Sequence, residues 1–163
     1  MTTEDDVRFV YRLYASESSG LFLRYGGLPP AREEFARDVI GSAFDQVVVR
    51  LTMGDQRRVG YFRCDDVDLT AGHGVLSVAF DAAYQDRALL IVAGAHYLDY
   101  LWSQWPLRKL YFHLGAYNAS RMGALAFARA DLEARLKEAL YFNDRHWDLQ
   151  IWSMTRGAWF DGV

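Results

Sequence analysis

The chain has 163 residues, enough for one core of ordinary extent and a squeeze for two, so a single domain spanning 1–163 is expected. With 52% hydrophobic residues, 15% aromatics and only 3 prolines, it is not a disordered or low-complexity chain. Its 18 basic and 21 acidic side chains give a formal charge of -3, which argues against nucleic acid as the main partner, because that binding relies on clustered Lys and Arg.

Cys64 is the sole cysteine, which excludes an internal disulfide and a four-cysteine zinc site, and four scattered histidines predict no metal. The most apolar run, Ala88 to Ala95, is far shorter than the ~20 residues that span a bilayer. The first residues, through Glu4, Asp5 and Asp6, are acidic where a secretory signal starts basic. A cytoplasmic protein with no membrane partner is the expectation. The surplus of 5 Trp, 10 Tyr and 10 Phe serves either a ligand cleft or only a core.

Thr3 and Asp6 form a capping pair that predicts a helix over Glu4 to Ala15, with Val7, Val10 and Tyr14 on one face. Ser16 to Gly27 reads as a loop packing its own aromatics, and Pro29-Pro30 opens a second helix over Ala31 to Ile40. Alternation predicts strands at Gln46 to Met53, Arg58 to Cys64 and Val75 to Asp81, an antiparallel meander with a polar loop from Asp65 to Gly74. Arg87 to Gln104 has helical spacing and ends before Pro106. Lys109 to Leu114 is a short strand, expected to pair in parallel with its predecessor through a helical crossover. Leu132 to Phe142 fits a helix by propensity and a strand by alternation. The alternating run after the Asn143-Asp144 turn signal calls for a hairpin, which favours the strand.

This order of elements resembles the GNAT superfamily of acyl-CoA-dependent N-acyltransferases. Phe22-Leu23-Arg24-Tyr25-Gly26-Gly27 followed by Glu33-Glu34-Phe35 is similar to the ribosomal-protein-acetylating branch. So are Pro106 to Tyr111, Asn118 with Ser120, Leu132 to Leu136, Trp147-Asp148 and Ser153 to Arg156. The likeness covers about residues 4 to 160. It implies an α+β, three-layer α/β/α fold around a mixed, centrally splayed sheet of about six strands, with the family's first strand missing.

The resemblance also implies a site. An acyl-CoA donor would lie along Val78, Ala79 and Phe80, its pyrophosphate against Gln85, Asp86, Arg87, Ala88, Leu89 and Leu90 at the start of the long helix, where orphan N–H groups favour an anion. Asn118 and Arg121 would meet its arm. Ala88 and Leu90 stand where the family has small residues, Asp86 adds a negative charge, and Arg121 occupies the usual serine position. Acyl transfer to an amine needs a base and a proton donor for the thiolate: His113, His73 and Asp81 are the base candidates, with His113 put first, and Tyr117 and Ser120 are the acid candidates. Phe22, Tyr25, Trp147 and Trp152 fall on segments that line the acceptor side in similar folds. A small-molecule or peptide amine is the implied acceptor, and a homodimer fits the aromatic surplus.

Two further functions compete. A GNAT-fold protein with lost or altered CoA chemistry would serve another small-molecule substrate or bind a partner, and Leu90, Arg121 and the missing strand motivate it. An unrelated α+β binding module requires Leu132 to Phe142 to be helical.

Overall fold

The computed structural model describes residues 3–16, 28–51, 56–84, 87–118 and 129–161. Six strands follow the order β1-β2-β3-β4-β6-β5: β1 (Asp45–Arg50), β2 (Arg58–Asp68), β3 (His73–Phe80), β4 (Lys109–Gly115), β5 (Asp131–Phe142) and β6 (Arg145–Thr155). The helices are α1 (Glu4–Ala15), α2 (Arg32–Phe35, continued as a π-turn over Ala36–Ile40), α3 (Arg87–Gln104) and α4 (Arg156–Phe160). No described strand precedes α1. No described helix is long and apolar enough to cross a membrane. The residues divide into two compact units, Met1–Asp65 with Ser77–Gly94, and Asp66–Leu76 with Ala95–Val163.

In the first unit the predicted capping box is complete: Thr3 Oγ1 accepts from Asp6 N–H, and Asp6 Oδ2 accepts from Thr3 N–H at 2.9 Å. The buried stripe of α1 is Phe9, Val10, Leu13 and Tyr14, with Val7 only half-buried, so the core face is rotated from the predicted one. Against it pack Phe35 and Val39 of α2, Tyr61 of β2 and Ala79 of β3, and Phe35 meets Tyr14 edge-on at 5.0 Å. β1 pairs antiparallel with β2, from Asp45–Cys64 to Arg50–Arg58.

In the second unit the polar loop is shorter than predicted, because β2 continues to Asp68 and β3 begins at His73. Asp68 Oδ1 accepts from the N–H groups of Thr70 and Ala71, and Gly72 takes φ 71°, a turn that closes in four residues. β3 pairs in parallel with β4 over three residues, His73–Lys109, Gly74–Leu110 and Val75–Tyr111. β6 lies antiparallel between β4 and β5.

The ambiguous segment is a strand. Asn143 and Asp144, with φ 52° and 59°, make a two-residue turn flanked by the Phe142–Arg145 pair. That turn obliges the preceding residues to extend, and it removes the condition on which an unrelated binding module depended. α4 was not foreseen: Thr155 caps it by accepting from Ala158 N–H, and its Trp159 donates Nε1–H to Asp99 at 2.6 Å beside Trp102.

Candidate active site

Strand parity sorts the second unit's site residues onto two faces. Leu110, Phe112 and Leu114 of β4 are buried and oppose Met154, Trp152 and Gln150 of β6. The other face carries Lys109, Tyr111 and His113, opposite Thr155, Ser153 and Ile151. Trp147 shares the His113 face; Trp152 does not. The two tryptophans expected on the acceptor side therefore point to opposite sides of the sheet. Trp152 donates its Nε1–H to Gln150 at 2.9 Å on the buried side.

β4 ends at Gly115, and the next turn, Ala116–Asn118, folds the Tyr117 ring back over that glycine. A Cβ at Gly115 would stand 2.6 Å from Tyr117 Cζ, so only glycine leaves room for the ring. The missing Cβ would point to the His113 face, because Gly115 and His113 are two residues apart on one strand. The ring stacks on Phe142 at 4.4 Å and meets Trp147 edge-on at 5.4 Å. Arg145 lies over the Trp147 ring at 3.3 Å, and Trp147 donates Nε1–H to the Phe142 carbonyl. Tyr117, Trp147 and the exposed His113 thus belong to one face, and burial pushes the Tyr117 phenol above its ordinary pKa.

Asn118, the next residue, has a buried Oδ1 with no hydrogen-bond partner among the described residues. A buried amide oxygen left without a donor is costly, so this atom fits a ligand N–H, such as the amides along a CoA arm. Lys109 and Ser153 bind Glu133 further along the same face, Ser153 Oγ donating at 2.7 Å.

The first unit holds the candidate donor residues of β3 and α3. Phe80 is buried and meets Phe62 edge-on at 5.7 Å, Ala79 is in the α1 core, and Val78 is half-buried. The Ala79 and Phe80 side chains are thus packing groups, and what this stretch offers a ligand is its main chain. Gly60 has no side chain for the same reason, since a Cβ there would lie 2.7 Å from the Phe80 ring. Leu89 and Leu90 are half-buried in the first turn of α3, and Ala88 is exposed. Phe22, Tyr25, Gln85, Asp86, Ser120 and Arg121 lie outside the described residues, as does the Arg87 side chain.

Sequence reading missed Phe142 and Arg145, the partners that hold Tyr117 and Trp147. Their signal was the hairpin itself, which sets Phe142 opposite Arg145 and Leu140 opposite Trp147. The buried Cys64 thiol, pushed up to about 12 by desolvation, is unsuited to act as a nucleophile. Among the described residues no three His, Cys, Asp or Glu side chains are grouped to hold a metal.

The architecture has clear counterparts among solved structures. Spermidine N-acetyltransferase from Vibrio cholerae in complex with CoA and spermine superposes with a TM-score of 0.82 at 15% identity, over 97% of this chain and 94% of that one. The fold is that of the GNAT N-acetyltransferases. A chimera of the Vibrio cholerae spermidine N-acetyltransferase SpeG with hSSAT shares this GNAT fold at TM-score 0.82 and 15% identity, over 99% and 96% of the two chains. A single-residue mutant of SpeG gives 0.80 at 15%, over 98% and 95%. No family model matches the chain, and no curated protein matches its sequence. At this identity the likeness carries the GNAT fold, and chemistry must come from the residues.

Proposed function

We propose that the chain is an acyl-CoA-dependent N-acyltransferase that moves an acetyl or other acyl group to a primary amine. The observation that carries this reading is the adjacent pair Tyr117 and Asn118, a phenol held protonated in an aromatic nest and, next in the chain, a buried amide oxygen with no donor among the described residues. Bound acyl-CoA supplies the activated acyl group and the thiolate leaving group. In the second unit Asn118 offers its Oδ1 to the N–H groups of the arm; in the first unit the main chain of Val78, Ala79 and Phe80 and the amides of Leu89 and Leu90 in the α3 first turn are the groups suited to an acyl-CoA and its phosphates. Tyr117 keeps its proton through neutral pH, the state required of a donor to departing sulfur. His113, exposed on the same face, offers an imidazole to take the proton of an incoming ammonium.

The acceptor is a small-molecule amine or, following the likeness to the ribosomal-protein-acetylating branch, a protein N-terminus. Residues 1–163 act as one domain, in the cytoplasm where acyl-CoA is made. A homodimer through β5 is part of the proposal: this 12-residue edge strand is largely exposed and carries Leu136 and Tyr141 at 48% and 66% exposure. The test is calorimetry with acetyl-CoA, followed by CoA release on a panel of polyamines, amino acids and N-terminal peptides. Saturable binding with turnover on one class supports the reading, and absence of CoA binding overturns it. A second reading, altered CoA chemistry, is favoured by Leu90 in place of a small residue; under it acetyl-CoA binds only to L90G.

A further inference from the structure

Four arginines converge on one open cleft of about 750 Å³ in the first unit, between α1, the start of α2 and β2: Arg8, Arg12, Arg32 and Arg58, with Tyr11 and a single acidic residue, Asp5. In a chain of net charge -3 this concentration is unusual. The cluster is not self-neutralised. Arg58 is held by buried Asp6 through Nε at 2.5 Å, and Arg8 by Glu4 at 2.6 Å. Arg12 and Arg32 have no hydrogen-bond or ion-pair partner among the described residues. Glu33 and Glu34, which follow Arg32, do not line the cleft.

The scaffold fixes this arrangement. Arg8 and Arg12 are one turn apart on α1, with Tyr11 between them, and Tyr11 packs edge-on against Phe35 of α2 at 5.2 Å. That contact packs α1 against α2, which carries Arg32 into the cleft lining. The Asp6 carboxylate, itself buried, anchors Arg58. Two guanidinium groups are thus pinned and two are free, and a guanidinium fork matches the oxygens of a phosphate or carboxylate.

We propose that this cleft binds a small molecule carrying a multiply charged oxyanion group, a phosphate or clustered carboxylates, through Arg12 and Arg32 with Arg8 and Arg58 in support. The site is distinct from the residues assigned to acyl transfer, and its test does not depend on turnover. The protein is titrated by calorimetry with inorganic phosphate and with citrate at constant ionic strength. Saturable binding of either is expected, and the tighter of the two identifies the oxyanion class. In R12Q/R32Q binding should weaken about ten-fold or more, the loss of two charge-assisted contacts. R37Q, which alters an exposed arginine that does not line the cleft, should leave it unchanged. Arg12 and Arg32 are exposed, so the double variant should melt with the parent protein when no anion is present. Absence of saturable binding, or binding that persists unweakened in R12Q/R32Q, overturns the proposal.

Discussion

The Asp6 carboxylate accepts from Arg58 Nε at 2.5 Å across 52 residues of sequence, and the same oxygen accepts from Arg50 Nη2 at 2.6 Å. A group that begins as a local helix cap is therefore the charge on which α1 docks to β1 and β2. Burial alone would raise its pKa, but the two guanidinium groups and the Thr3 bonds outweigh that effect and hold it well below the usual carboxylate range.

Asp6→Asn should destabilise the fold by roughly 2–3 kcal/mol, the cost of removing the buried carboxylate that Arg50 and Arg58 share, reduced because both arginines are partly exposed. Urea denaturation at pH 7 measures it. Because the folded pKa is depressed, this stabilisation is complete above the unfolded value of about 3.9 and is lost progressively as pH falls below it. The gap in melting temperature between the parent and D6N should therefore narrow between pH 6 and pH 3. A gap that stays constant would show that Asp6 acts only through packing.

Tyr117→Phe keeps the ring between Phe142 and Trp147 and removes only the proton. Under the acyltransferase reading kcat should fall on the order of 100-fold. The melting temperature should barely move, which separates a chemical role from a packing one. Since the phenol is pushed above its ordinary pKa of about 10, loss of its proton should not limit the rate below that pH.

Gly115→Ala puts a methyl group into the Tyr117 ring and should cost about 1–3 kcal/mol of overpacking, along with turnover. Adding Tyr117→Ala relieves the clash, so the double variant should be no less stable than Y117A alone. A double-mutant cycle on denaturant midpoints reads this coupling.

Cys64 is fully buried, with its thiol pushed up to about 12 by desolvation and the nearby Asp65 and Asp45 carboxylates. It should resist a chromogenic disulfide reagent for as long as the protein is folded, and react fully in denaturant. Assays that follow CoA release by thiol colour would then carry no protein background. Rapid labelling of the native protein would contradict the packing around β2.

Some features were fixed by residues close together in the chain. The Thr3–Asp6 box, the start of α2 after Pro29-Pro30, the run of α3 up to Pro106 and the Asn143-Asp144 turn are local contests between backbone hydrogen bonds, and a few neighbours decide them. The likeness to GNAT enzymes was legible for a related reason: the order and length of elements survive where individual residues do not. Leu132 to Phe142 satisfied both helix and strand periods, and pairing with β6 settled it. The strand supplied the Phe142 face on which Tyr117 rests.

Only the tertiary structure showed that Phe80 turns into the Phe62 contact, that Trp147 and Trp152 face opposite ways, and that Asp6 binds arginines 44 and 52 residues away. It also gathered Arg8, Arg12, Arg32 and Arg58, spread over fifty positions, around one cleft. The physical reason is common to all of these. Composition and periodicity report how much apolar surface must be buried and which local dihedrals are favoured. Which side chain meets which depends on strand register and helix rotation, and these are set by packing between segments far apart in sequence.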